Sequence, residues 1–292
     1  MAVDGEGRRD RPGFTQGEVL EVPSGRARLS VVRQGAGGEP QVVFLHTGIS
    51  DKRSWEEVLG LLSPEMDVVA YDRRGFGSTT YRAEAHDQLV DLLAILDALG
   101  LDRTVLVGNS RGGQIALDFT LTHPARVAAL VLVAPAVSGA PAVDGAQIDP
   151  VEAAIWDTLA AADAAGALDA LNLGEVRLWV DGPHAPEGRV DGVRRKLALD
   201  MNRIALHAES PGHEPAPSLE AWSRLSEVRC PVLVVVGDLD LGHIQERCRV
   251  LASQIPGALL SVMHDAAHLP GLEQPVAFAA LLRSFLGGIS AR

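Results

Sequence analysis

The chain has 292 residues, with 26 Lys and Arg against 38 Asp and Glu, for a formal net charge of −12 at pH 7. Binding a polyphosphate relies on a basic patch that releases counterions, and none stands out here, so nucleic acid and anionic membranes are excluded as expected partners. Hydrophobic residues make up 47% of the chain and charged residues 22%, a globular balance with material for a large core.

Residues 1–16 are polar, rich in Gly, Arg and Asp, and lack the apolar stretch of a signal peptide, which predicts a disordered start. No later apolar run reaches the roughly 18 residues that a membrane span needs, and a soluble, cytoplasmic protein is expected. From there, short β-branched runs bounded by turn residues alternate with longer segments of helical spacing. The strand candidates are 18–22, 27–33, 41–46, 67–71, 104–108, 127–133, 232–237 and 258–263. Helical patterns fall at 54–62, 84–99, 111–122, 244–255 and 274–286. Runs such as VLVG, LVLVA and VLVVVG are apolar at successive positions, as strands covered on both faces must be. The expected fold is α/β: eight strands in a mostly parallel sheet, with helices on both faces.

One region interrupts the alternation. Between about residues 135 and 228 the strand signals vanish, and helical patterns at 151–165 and 190–208 are separated by the Pro- and Gly-rich stretches DGPHAPEG and SPGHEPAPS. The Ala-rich stretch at 160–170 also reads as helix. The predicted organisation is therefore a core at 17–135 and 229–292, with a helical cap at 136–228 between the sixth and seventh strands. Cys230 and Cys248 are too few for a disulfide framework or a four-ligand zinc site. His184, His207 and His213 in the cap are scattered rather than spaced as ligands, so no metal is expected.

The chemistry concentrates where the fifth strand meets the next helix. Gly108-Asn109-Ser110-Arg111-Gly112 is G-x-S-x-G in a strand–turn–helix setting, a turn so tight that Ser110 must adopt a strained backbone and side chains at 108 or 112 would crowd it. The serine hydroxyl then stands above the sheet beside a helix N-terminus, which favours developing negative charge. A hydroxyl attacks only if a base takes its proton, so a histidine and an orienting acid are required later in the chain. Gly237-Asp238-Leu239-Asp240 ends the seventh strand with two carboxylates, at the sheet edge where ligands bind in open α/β folds. Asp240 is preferred because it lies farther past the strand and can reach sideways, whereas Asp238 sits where a residue fixes the turn. After the last strand, His268 lies in a loop, whereas His264 terminates the strand itself; His268 is the expected base.

From about residue 18 to 286 the chain resembles the α/β-hydrolase superfamily, in particular cap-bearing esterases, lactonases, haloperoxidase-like enzymes and carbon–carbon bond hydrolases. The resemblance is carried by HTGISDKRSW, YDRRGFGST, GNSRGG, CPVLVVVGDLD and AAHLPGLEQPVAF, in that order. It implies a Ser110, Asp240, His268 triad and an oxyanion hole formed by the backbone amides of Arg111 and Gly48. The family usually has His-Gly before the second donor; this chain has His46-Thr47-Gly48, so Gly48 is assigned by position.

Neighbouring residues have competing roles. Asp72 and Arg74 are expected to brace the loops at the sheet edge, while Asp51 and Arg53 either pair locally or stay solvated. Thr47, Trp55, Trp156 and Trp179 are candidate pocket residues; Trp55 reads equally as core, and packing of the cap on the sheet is the preferred role for Trp156 and Trp179. Arg111 carries a cation where relatives often have an apolar side chain, and it can meet either an acidic substrate group or a carboxylate of the cap. The expected activity is hydrolysis of a small-molecule carboxylic ester or lactone through an acyl-enzyme, with no cofactor. The alternatives are a carbon–carbon bond hydrolase of ring-cleavage products, whose usual His-Gly-x-Gly-Pro-Gly loop is absent here, and a non-catalytic small-molecule-binding protein. The natural substrate and the oligomeric state are not legible in the sequence.

Overall fold

Successive side chains of a strand point to opposite faces, so a strand covered on both sides is apolar at every position. In the computed structural model, which describes residues 17–35, 40–142, 148–215 and 219–290, the central strands obey this rule. The strands are β1 (Glu18–Ser24), β2 (Ala27–Gln34), β3 (Gln41–Leu45), β4 (Asp67–Tyr71), β5 (Thr104–Asn109), β6 (Val127–Val133), β7 (Val232–Gly237) and β8 (Leu259–Met263). They form one eight-stranded sheet in the order β1-β2-β4-β3-β5-β6-β7-β8. β2 runs antiparallel to both its neighbours, and the remaining adjacent pairs are parallel.

In β3, Val43 and Leu45 join one core while Val42 and Phe44 join the other. The first core is closed by α2 (Gln88–Ala98), α3 (Arg111–Thr122) and α7 (Gly242–Gln254), through side chains such as Leu92, Phe119 and Leu251. On the opposite face, α1 (Glu56–Leu62) and α8 (Pro275–Ser290) supply Val58, Leu62, Phe278 and Leu282. From β3 the chain steps to β4 on one side, then returns to β5 on the other, so the loops after β3 and β5 diverge and open a crevice between them. Such a switch point at the carboxyl edge is where open α/β sheets bind ligands.

Between β6 and β7 lie α4 (Pro150–Ala164), α5 (Leu168–Val176) with a following π-helical turn (Arg177–Asp181), α6 (Gly192–Leu206) and a 3-10 segment (Ala221–Glu227). The Ala-rich stretch is two helices rather than one. Gly166 takes φ of 63°, its N–H donates to Asp163 O (2.9 Å) and that of Ala167 to Ala162 O (2.9 Å), the pair of bonds that closes a helix through a left-handed residue. α5 escaped the sequence reading because Gly174 and the exposed Leu173 blur its apolar stripe. The insertion rests on the sheet edge through a third apolar cluster, in which Val176, Val180, Ala198 and Met201 meet Ile49, Leu269 and Leu272.

The helix expected from residue 84 begins at Gln88 instead, because the Asp87 carboxylate accepts from Leu89 N (2.7 Å) and caps it. Residues 84–86 run extended beside the insertion, with Glu84 N donating to Pro211 O (3.1 Å) and His86 N to His213 O (3.0 Å). The expected disordered start, residues 1–16, lies outside the described residues. No helix among the described residues is long and apolar enough to cross a membrane.

Candidate active site

Ser110 sits between β5 and α3 with φ of 53° and ψ of −114°, a conformation that costs an L-residue of order 1–3 kcal/mol and persists only where its surroundings enforce it. The enforcement is mutual closeness. A Cβ on Gly108 would stand 2.3 Å from Gly112 O, and one on Gly112 would stand 2.4 Å from Leu45 O, so only glycine lets β5, the helix start and the end of β3 meet. Asn109, whose role sequence reasoning missed, fastens the turn sideways: its Nδ2 donates to Val133 O and to His268 O, both at 3.0 Å. One amide thus ties the serine turn to the histidine loop.

Two acids and two histidines at this edge sort into two pairs. Asp240 Oδ2 and His268 Nδ1 are 2.8 Å apart, with side chains only 2% and 4% exposed. Asp238 Oδ2 and His264 Nδ1 are 2.9 Å apart, but the His264 side chain is 86% exposed. The second Asp240 oxygen accepts from Leu241 N (2.8 Å), which fixes the carboxylate, while the Asp240 main-chain carbonyl accepts from Gln245 Nε2 (2.8 Å). With the carboxylate accepting, His268 Nδ1 carries the hydrogen and Nε2 keeps its lone pair. Ser110 Oγ makes no hydrogen bond among the described residues, so the acid–imidazole pair is formed and the serine–imidazole bond is not.

The histidine loop is held from below by Glu273, another residue that the sequence did not single out. Its buried carboxylate accepts from Ala267 N (2.7 Å) and Leu269 N (2.9 Å), the amides flanking His268. Burial pushes its carboxyl above the usual range, against the pull of those donors and of Arg189, with which it forms an ion pair. Arg189 belongs to the insertion and also donates to Asp265 O (2.6 Å). From above, Trp179 lays its indole 4.6 Å from the His268 ring, and its carbonyl accepts from His268 N (3.2 Å). Trp156 meets Trp179 edge-on at 5.7 Å.

After β3, His46, Thr47 and Gly48 form the facing wall. The amides of Gly48 and Arg111 donate to nothing among the described residues. Thr47 is buried and its hydroxyl accepts from Ile49 N (3.0 Å), so it shapes the loop instead of lining a pocket. His46 is fully buried, and desolvation, helped by the nearby Arg73 charge, pushes its imidazole well below the ordinary value.

The other expected residues separate cleanly. Trp55 is a core residue: it packs between Phe44 (5.2 Å) and Phe278 (5.6 Å) beneath the sheet edge, a correction to its placing in the pocket. Asp51 and Arg53 pair locally at 2.6 Å, and Arg53 also reaches Asp200 of α6 (2.9 Å). Asp72 accepts from Lys52 N and Ser78 N, both at 2.8 Å, while Arg74 bonds Asp91 (2.8 Å) and Glu84 (2.6 Å); both brace the loops. The Arg111 side chain turns to the insertion, pairing with Glu214 and donating to Gln114 Oε1 (2.7 Å). No cluster of three or more His, Cys, Asp or Glu among the described residues is placed to hold a metal ion. A separate groove of about 400 Å³, lined by Arg74, Glu84, His86, Asp91 and His213, lies on the α2 side, away from Ser110.

The family model of the alpha/beta hydrolase family matches residues 42–281. The chain belongs to that family. A curated relative, the 2-hydroxymuconate semialdehyde hydrolase of Pseudomonas sp. strain CF600, is 27% identical over 91% of this chain and 93% of its own. The proline iminopeptidase of Heyndrickxia coagulans is 26% identical over 94% of this chain and 100% of its own. Among solved structures, Est816, described as an N-acyl homoserine lactone degrading enzyme, superposes with a TM-score of 0.69 at 28% identity, covering 91% of this chain and 99% of that one.

Proposed function

We propose that the chain is a serine hydrolase that cleaves a carboxylic ester or lactone of a small molecule through an acyl-enzyme. The observation that carries this reading is the buried 2.8 Å Asp240–His268 pair, linked by Asn109 to the strained turn of Ser110, with the amides of Gly48 and Arg111 unbonded among the described residues. The chemistry follows from these groups. His268 Nε2 takes the hydroxyl proton as Ser110 Oγ bonds to the carbonyl carbon, and the carbonyl oxygen becomes an anion held by the Gly48 and Arg111 N–H groups. The protonated imidazole, oriented by Asp240, then gives its proton to the leaving alkoxide and the carbon–oxygen bond breaks. Water attacks the acyl-serine by the same route, with Nε2 again as base, and the acid is released. With a lactone, the leaving alkoxide remains part of the acyl group, and the second step releases a single hydroxy acid.

The likeness to the lactone-degrading Est816 supports an ester or lactone bond, and no step needs a metal or cofactor. A second reading, carbon–carbon bond cleavage, is favoured by the likeness to 2-hydroxymuconate semialdehyde hydrolase and would use the same three side chains. Steady-state rates on aryl esters, enol-lactones and vinylogous diketones separate the two. Wild type is expected to turn over short acyl nitrophenyl esters and to be labelled by a fluorophosphonate, and Ser110→Ala to lose both. Undiminished labelling of Ser110→Ala would defeat the assignment.

A further inference from the structure

The peptide that joins Thr47 to Gly48 has two ends in different situations. Its carbonyl accepts two hydrogen bonds, from Arg73 Nη2 and from His46 Nδ1, each at 2.7 Å. Its N–H, the Gly48 amide, is unbonded among the described residues. The hydrogen positions are fixed by connectivity: Arg73 N donates to His46 Nε2 (3.1 Å), so the neutral ring carries its hydrogen on Nδ1 and must donate it to Thr47 O. In a trans peptide the C=O and N–H point in opposite directions, so clamping the oxygen from behind aims the N–H forward, into the crevice.

The clamp is charged, and no residue among those described forms an ion pair with it. Arg73 is 4% exposed, no carboxylate lies within ion-pair distance of it among the described residues, and its Nε has no partner. Its guanidinium lies 4.3 Å above the Phe76 ring. The other titratable groups it senses are Tyr71, whose buried phenol is pushed above its ordinary value and so stays neutral at neutral pH, Arg111, of like sign, and Glu214, which is already paired to Arg111. Desolvation pushes it down to about 10, so it remains a cation at neutral pH. Burying an unpaired charge costs several kcal/mol, and a neutral donor could hold the same carbonyl without that penalty. A positive charge there becomes favourable when an anion forms on the far side of the peptide.

We infer that Arg73 is a positioning residue for the proposed ester or lactone cleavage: through the Thr47–Gly48 peptide it aims and polarises the oxyanion donor, and its uncompensated charge is matched only by the tetrahedral anion. Hydrogen bonds in a chain polarise one another, so two donors on the carbonyl make the N–H a better donor at the other end. Within a crevice of low effective dielectric, the guanidinium adds a favourable field at the same place. Because the ground-state carbonyl carries little charge, the effect belongs to the transition state and should leave substrate affinity alone.

The inference rests on the serine-hydrolase reading, and one set of variants tests the two separately. Wild type, Ser110→Ala, Arg73→Met and Arg73→Lys are compared on one aryl ester for kcat, KM and Tm, and for inhibition by an arylboronic acid, which forms a tetrahedral anion on a serine. For Arg73→Met we expect kcat to fall about 10- to 100-fold, short of the loss of a whole oxyanion donor, with KM within about twofold and Tm held. Boronate affinity should fall by the same factor, and Arg73→Lys should recover most of both losses. If Arg73→Met does not fold, Arg73→Gln, which keeps a neutral donor for Thr47 O, carries the same expectations. The inference is overturned by an unchanged kcat, by equal impairment of the Met and Lys variants, or by losses that follow Tm and KM. Inactive wild type, or active Ser110→Ala, would instead overturn the hydrolase reading itself.

Discussion

On one side of the crevice the buried carboxylate of Asp240 meets the buried imidazole of His268, an ion paired with its partner inside the protein. On the other side the buried guanidinium of Arg73 meets, among the described residues, a carbonyl and an aromatic ring but no carboxylate. The acid side is complete at rest and exists to hold one tautomer still. The oxyanion side is electrically incomplete at rest, and its amides have no partner among the described residues. A site that must bind an anion for a moment is best left unsatisfied until that moment, because donors already engaged would first have to be released.

The contrast can be broken most forcefully on the acid side. Asp240→Asn preserves shape but lets Nδ1 become the acceptor, and kcat on an aryl ester should fall about 10⁴-fold with little change in Tm. Asp238→Asn, which touches only the exposed His264, should stay near wild type in the same assay; equal losses in both variants would erase the distinction between the two pairs. On the oxyanion side, Gly112→Ala drives a Cβ against Leu45 O and should cost about 3 kcal/mol in denaturant unfolding. Gly48→Ala meets nothing within 4 Å and should leave stability unchanged, so any activity it loses reports crowding of the crevice.

Acidity sharpens the comparison further. The buried His46 has its folded-state value held well below 6.5, so the unfolded chain binds the extra proton first. Its stability contribution is complete above about pH 6.5 and is lost as pH falls towards the folded value, at about 1.4 kcal/mol per pH unit. His46→Asn should flatten the dependence of Tm on pH in that acid window by this amount, and an unaltered slope would show that His46 is not held neutral. The smallest effect is expected at Glu214, whose pair with Arg111 is about one-third exposed on both sides. Glu214→Gln should change stability by less than about 1 kcal/mol in thermal unfolding. By freeing a cation beside the crevice, it should lower KM for an anionic ester relative to a neutral one.

The sheet was legible in the sequence because both-face burial leaves an unmistakable apolar run, and all eight strand candidates fall on the observed strands to within two residues. The Ser110 turn was equally legible, since a Cβ on either of its glycines would stand only 2.3–2.4 Å from a backbone oxygen. Pairing was less so. Asp238 and Asp240, or His264 and His268, differ in the sequence only by position, and burial is what separates them. Asn109 and Arg73 were invisible because each acts through a backbone carbonyl of a distant segment, and Glu273 because it acts on backbone amides of its own loop. Trp55 was left open between pocket and core because an indole that follows the β3 loop reads the same whether it faces the crevice or the core. α5 was lost for a local reason, its glycine and exposed leucine.

The central claim is that a carbonyl carbon is transferred to Ser110 Oγ. Rapid quenching of wild type with a slowly deacylating aryl ester, followed by intact-mass measurement and peptide mapping, tests it directly. The account predicts a mass increase equal to one acyl group, located on Ser110, absent from Ser110→Ala, and accumulating too slowly to detect in His268→Ala. Turnover of the ester with no adduct, or an adduct on another residue that persists in Ser110→Ala, would contradict it.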